Sequence, residues 1–105
     1  MDGALADFEH ALKLDPKFAD AYLGRGIVRL NRDDLDAAIA DFSTSIALDD
    51  YQAQAYEYRG LVHYALSRNA EAEKDLARAR ALAPYLGPEI DAKLKALKGI
   101  VQKAR

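Results

Sequence analysis

Laid over itself so that Ala19 falls on Ala53, this chain aligns two segments without a gap. "ADAYLGRGIVRLNRDDLDAAIADFSTSIALDDYQ" (19–52) falls on "AQAYEYRGLVHYALSRNAEAEKDLARARALAPYL" (53–86). The identities are Ala19/Ala53, Ala21/Ala55, Tyr22/Tyr56, Arg25/Arg59, Gly26/Gly60, Val28/Val62, Ala38/Ala72, Asp41/Asp75, Ala47/Ala81, Leu48/Leu82 and Tyr51/Tyr85. They fall mainly on small and apolar positions, as they must if each unit buries the same surface. A fixed period of this size marks a stack of repeated units, each too small to bury its apolar face alone.

Periodicity and punctuation predict helices near 3–14, 18–31, 34–48, 53–66, 69–82 and 88–104. Asp15-Pro16, Asn31 to Asp34, Asp49-Asp50, Ser67 to Asn69 and Pro84 to Pro88 separate them. Asp33 or Asp34, and Ser67 or Asn69, are placed to accept the free amides of the turn that follows them. Gly26 and Gly60 stand mid-helix, where glycine costs about 1 kcal/mol relative to alanine. Close approach of a second helix is the compensating reason. The last helix carries Ile90, Leu94, Leu97 and Val101 on one stripe, and without the repeat's glycine it reads as a cap over the last hairpin.

These residues resemble the tetratricopeptide repeat, a helix–turn–helix unit of about 34 residues. The family's first-helix run of aromatic-x-x-Leu-Gly-x-x-Tyr stands here as Tyr22-x-x-Arg25-Gly26-x-x-Arg29 and Tyr56-x-x-Arg59-Gly60-x-x-His63. Its second-helix Ala-x-x-x-aromatic stands as Ala38/Phe42 and, with an aliphatic substitute, Ala72/Leu76; its closing proline is Pro84 in one repeat and Asp50 in the other. Ala4-x-x-x-Phe8, Ala11 and Pro16 match the second half of the same motif, so the chain opens partway through a repeat. The resemblance implies an all-α fold, a right-handed superhelical solenoid of antiparallel hairpins with about six helices. It forms one domain over 1–105: a half repeat (1–16), two repeats (17–50 and 51–86) and a capping helix (87–105).

Arg25 and Arg59 occupy a place the family usually fills with leucine. A long cation at a packed position needs an anion, because an unpaired buried charge is very costly. Antiparallel helices bring residues equally far from a turn to the same height. Turns near 33 and 67 level Arg25 with Asp41 and Arg59 with Asp75, and those near 16 and 50 level Asp7 with Arg25 and Asp41 with Arg59. The expectation is an alternating ladder: Asp7, Arg25, Asp41, Arg59, Asp75. A guanidinium clamp on a ligand carboxylate or phosphate is the competing reading. Recurrence of both arginines with an aspartate at a fixed offset favours structural pairing.

In tetratricopeptide arrays first helices line a concave groove that generally holds peptides or protein segments. That resemblance implies groove positions at Asp20, Leu23, Ile27 and Asn31 in one repeat and Gln54, Glu57, Tyr58, Leu61 and Tyr64 in the next. None is Lys or Arg, so the cationic grip one subfamily uses on chaperone C-termini is not expected. What remains is an apolar and aromatic strip edged by Asp20 and Glu57, suited to an amphipathic or extended segment. A second expectation is self-association. Two repeats and a half fall short of the three or more usually needed for stability. Leu5, Phe8 and Leu12 of the opening helix would then pair with another chain, giving a homo-oligomer.

Bulk chemistry sets the remaining bounds. Cysteine is absent, which removes disulfides and thiolate metal sites. The net charge of −2 argues against a general nucleic-acid binder. The charge is uneven: from 92 onward Lys93, Lys95, Lys98, Lys103 and Arg105 meet no acid, while residues 1–91 hold 10 basic and 17 acidic residues. Cations near a helix C-terminus complement its dipole. Asp2 stands where a signal peptide would be basic, and no apolar run approaches the roughly 20 residues of a membrane span. The expectation is a cytoplasmic protein with no membrane contact. His10 and His63 are isolated, the acidic pairs sit at helix ends, and no nucleotide loop or metal spacing occurs. The expected function is a non-catalytic scaffold that binds a protein or peptide, with no cofactor and no metal.

Overall fold

The computed structural model describes the backbone of residues 2–104 and the side chains of residues 3–99. Its helices are α1 (Asp2–Leu14), α2 (Ala19–Asn31), α3 (Leu35–Leu48), α4 (Ala53–Ala65), α5 (Asn69–Leu82) and α6 (Gly87–Ala104), with one 3₁₀ turn at Pro84–Leu86. The α2–α3 and α4–α5 hairpins are the intimate pairs; α1 lies on α2, α3 on α4, and α6 across α4.

The mid-helix glycines set how close the hairpin helices come. A Cβ on Gly26 would lie 2.6 Å from the Phe42 ring and 3.2 Å from Asp41 Cβ. On Gly60 it would lie 2.8 Å from Leu76 Cγ and 3.1 Å from Asp75 Cβ. Each glycine therefore opens a seat for the bulky residue of its second helix. Phe42, fully buried, anchors one core cluster with Ala38 and Val62, flanked by Leu23, Ile27, Leu30 and Tyr58. Leu76 anchors the other with Leu61, Ala79, Ala83, Leu86 and Ile90, and Leu94 and Leu97 of α6 pack against it. Val101, expected on the same stripe, lies outside the residues whose side chains are described.

The two hairpin turns differ from expectation. Asp34 and Arg68 precede α3 and α5, and neither makes a side-chain cap bond. Asp33 and Ser67 instead adopt left-handed backbone, with φ of 64° and 62°. The Asp34 amide then reaches back to Arg29 O at 2.9 Å and the Asp33 amide to Leu30 O at 2.9 Å; Arg68 and Ser67 repeat this on His63 O and Tyr64 O at 2.8 and 3.0 Å. This is the Schellman closure. It uses the left-handed residue and backbone amides to satisfy the carbonyls of the finishing helix, and no side chain caps α3 or α5.

Candidate functional site

Arg–Asp pairing inside each hairpin fixes which faces are left available. Asp41 is 3% exposed. It accepts Arg25 Nε at 3.0 Å and Nη2 at 2.8 Å, and Arg29 Nη1 at 2.9 Å. Asp75 accepts Arg59 Nε and Nη2, both at 2.8 Å. The hydrogen bond to Asp41 raises the pKa of Arg25, and that to Asp75 raises the pKa of Arg59. Both guanidiniums are thus occupied inside their own hairpins.

The continuous ladder does not form. Between hairpins Arg59 Nη1 turns to Ser43 Oγ at 3.2 Å rather than to Asp41, whose oxygens Arg25 and Arg29 already fill. Asp7 is exposed. No ion pair joins it to Arg25 among the described residues; the α1 acid whose charge reaches Arg25 is Glu9. His63 approaches Asp75 at 3.9 Å. Burial lowers its pKa, the Asp75 charge raises it, and the Arg59 and Arg68 charges lower it, for a net depression.

The concave face is built by α2, α4 and α6. Under α6 lies a hollow of about 300 Å³ walled by Leu30, Tyr58, Leu61, Val62, Ala65, Lys93, Ala96 and Leu97. Its lining is apolar except for Lys93. Tyr58 forms the floor, stacked on Phe42 with ring centres 5.9 Å apart. Lys93 Nζ stands 4.8 Å from the Tyr58 ring centre and donates to Glu57 Oε2 at 3.1 Å. It also pairs with Glu89 at 3.2 Å. Burial lowers the Lys93 pKa, but the Glu57 hydrogen bond and the carboxylate contacts outweigh it, so the pKa is raised and the ammonium stays charged.

A second hollow of about 430 Å³ lies at the N-terminal ends of α2 and α4, lined by Asp20, Leu23, Tyr51, Gln52, Gln54 and Tyr85 among others. Gln52 bridges it, donating to Asp20 and accepting from Ser45. Tyr51 and Tyr85, which hold the same place in successive repeats, are 74% and 80% exposed at its mouth.

The nine expected groove residues therefore separate. Asp20, Leu23 and Gln54 line the second hollow, and Tyr58 and Leu61 the first. Ile27 packs against the core cluster of Ala38, Phe42 and Val62. Exposed Asn31 and half-buried Tyr64 line neither. Glu57 is not an edge residue: it is 1% exposed, because α6 lays Lys93 over it. Its Oε1 is buried without a hydrogen-bond partner among the described residues. The groove also contains a lysine that expectation did not place there. Lys93, Ala96 and Leu97 come from α6, which begins one repeat period after α4 and so continues the series of first helices. That register is the signal in the sequence that points to them.

The expected self-association residues face inward. Leu12 is buried and Leu5 and Phe8 are half-buried. The Phe8 ring lies where a Cβ on Gly24 would be, so it is seated on α2. The absence of a side chain at Gly24 gives the ring that seat.

The tetratricopeptide-repeat pattern matches residues 2–53 and again 30–86. The chain belongs to the tetratricopeptide-repeat family. Its hairpins are the repeats, and the hollows lie on the face their first helices share. Among solved structures, the tetratricopeptide domain of Arabidopsis OM64 is similar, with a TM-score of 0.79 at 24% identity over 99% of this chain and 82% of that one. The first tetratricopeptide domain of Spaghetti (RPAP3), bound to the HSP90 peptide SRMEEVD, gives 0.82 at 24% identity over 96% and 79%. MamA gives 0.71 at 21% identity over 94% and 65%. At these identities the likeness is one of fold. Comparison with characterised proteins by sequence finds no match. The family and fold are those of protein–protein interaction modules.

Proposed function

We propose that this chain is a non-catalytic module that holds a segment of another protein along the concave face, anchored by an apolar side chain in the hollow under α6. The observation that carries this reading is the hollow itself, an apolar pocket of about 300 Å³ between three helices and open to the groove. A hollow of this size suits one aliphatic or aromatic side chain, whose burial contributes about 1.5–3 kcal/mol. The second, polar hollow at Asp20, Gln52 and Gln54 can hydrogen-bond the rest of an extended segment.

The segment is not an acidic tail. The Spaghetti domain of similar fold holds a peptide ending in Glu-Glu-Val-Asp. Here the lysine in the groove is already neutralised by Glu57 and Glu89, which leaves a local excess of one negative charge. A displayed library of random peptides, panned on this chain, tests the reading. Enriched sequences should share one apolar residue and few acids. Their binding should be lost in Ala96→Trp, which fills the hollow from an exposed position. Enrichment of acidic sequences, or binding indifferent to Ala96→Trp, would contradict it.

A further inference from the structure

We propose that the second hollow is the seat of an arginine side chain of the bound segment, its guanidinium laid against Tyr51 and Tyr85 and paired with Asp20. The assignment rests on the peptide groove proposed above and gives it a second anchor. Tyr51 and Tyr85 line the same hollow and hold the same place in successive repeats. Their rings face water, yet their backbones are fixed. The Tyr51 amide donates to Asp49 Oδ1 at 3.1 Å. Tyr85 sits in the 3₁₀ turn Pro84–Leu86, which buried Leu86 pins to the core. Tyr51 precedes a complete hairpin and is nearly as open as Tyr85, so the exposure belongs to this place in the repeat. Tyrosines so held lose little freedom when a partner covers them.

Charge says what covers them. Of the residues lining the hollow only Asp20 is charged. Gln52, a neutral donor, bonds to it, and no cation pairs with it among the described residues. Exposed Asp49 and Asp50 lie on the loop that carries Tyr51. The mouth of the hollow is therefore both aromatic and acidic, and an aromatic face and a carboxylate each attract a cation.

The fold itself shows which cation suits such a place. Arg25 lies over the Tyr22 ring, 5.6 Å from its centre, and donates to Asp41. Arg59 lies over the Tyr56 ring at 5.8 Å and donates to Asp75. Each hairpin thus holds a complete group of ring, guanidinium and carboxylate. The second hollow supplies the rings and the carboxylate, and the partner supplies the guanidinium. A lysine fits less well, because its ammonium is a compact, strongly hydrated charge. A planar guanidinium stacks on a ring while its edge still donates to the Asp20 carboxylate and the Gln54 side-chain carbonyl.

The random peptide library panned on this chain gives a first readout: enriched sequences should join an arginine to the shared apolar residue. Fluorescence anisotropy with one selected peptide gives the second. Asp20→Asn, Tyr51→Ser and Tyr85→Ser should each weaken binding about five- to tenfold with unchanged helical circular dichroism, since all three side chains are exposed. Replacing the peptide's arginine by citrulline, which keeps the shape and removes the charge, should weaken binding as much in the unaltered chain and little in Asp20→Asn. Replacing it by lysine should also weaken binding. Apolar sequences without arginine, equal binding of the lysine peptide, or losses from Asp20→Asn and citrulline that multiply independently would overturn the arginine seat and leave the groove standing. Sequences without an apolar residue, bound equally by Ala96→Trp, would overturn the groove and the seat with it.

Discussion

Lys93 Nζ lies 3.1 Å from Oε2 of Glu57, an earlier residue on α4 whose side chain is 1% exposed. This contact ties α6 to α4 and closes one side of the apolar hollow. A carboxylate so buried is tolerated only with a partner, and removing one member of such a pair leaves an uncompensated charge. Lys93→Met is therefore expected to cost about 2–3 kcal/mol, below the fully buried case because Lys93 itself is one-third exposed. Glu57→Gln combined with Lys93→Met should cost less than the two changes summed. Urea unfolding of the single and double variants measures both quantities.

The two buried aspartates differ in how many arginines hold them, and the difference is measurable. Asp41 keeps Arg29 when Arg25 is lost, whereas Asp75 has only Arg59 within hydrogen-bond distance among the described residues. Arg59→Leu is expected to destabilise by about 3 kcal/mol and Arg25→Leu by about 1 kcal/mol. Equal losses in thermal or urea unfolding would show that the second arginine contributes nothing.

Protonation of His63 gives the fold an acid-sensitive limb. Burial depresses its pKa below the ordinary 6.5, ahead of the opposing Asp75 charge. The unfolded chain therefore binds the proton first as pH falls through 6.5, and stability declines with falling pH below that point. At higher pH both states are neutral at this residue and the contribution is flat. His63→Phe should flatten the decline. Arg59→Leu, by removing a charge that lowers the pKa, should shrink it. Unfolding midpoints at neutral pH and again under mildly acid conditions provide the comparison.

Backbone strain at the hairpin turns offers a stabilising change. Ser67 sits at φ 62°, and no side-chain bond caps α5. Left-handed backbone costs a non-glycine residue roughly 1–2 kcal/mol, less the added chain entropy glycine brings to the unfolded state. Ser67→Gly should therefore stabilise by about 0.5–1 kcal/mol, with a smaller gain for Asp33→Gly because aspartate tolerates this region better. A lower melting temperature in Ser67→Gly would show that the hydroxyl matters more than the strain.

The hairpins are legible from period alone, because Gly26 and Gly60 recur at the spacing their partners Phe42 and Leu76 require. The Arg–Asp pairs within each hairpin follow from counting away from a turn. The links between hairpins do not, since height alone does not say which face of α1 turns to α2. Lys93 is hidden for a different reason. Leu94 replaces the repeat's glycine, so α6 resembles a cap, and the first-helix register of its start at Gly87 is masked. Glu57 falls in the groove by its period, but its burial depends on that hidden lysine. Asp33 and Ser67 resemble caps because short polar residues serve both caps and left-handed turns.

Entry of a partner's apolar side chain into the hollow under α6 is tested most directly by a nitrogen–proton and methyl correlation titration, using a peptide selected from the random library. The largest shifts are predicted at Tyr58, Leu61, Ala96 and Leu97, with contacts from the peptide's apolar side chain to the Tyr58 ring. Shifts confined to the outer faces of α3 and α5, with these four unmoved, would contradict it.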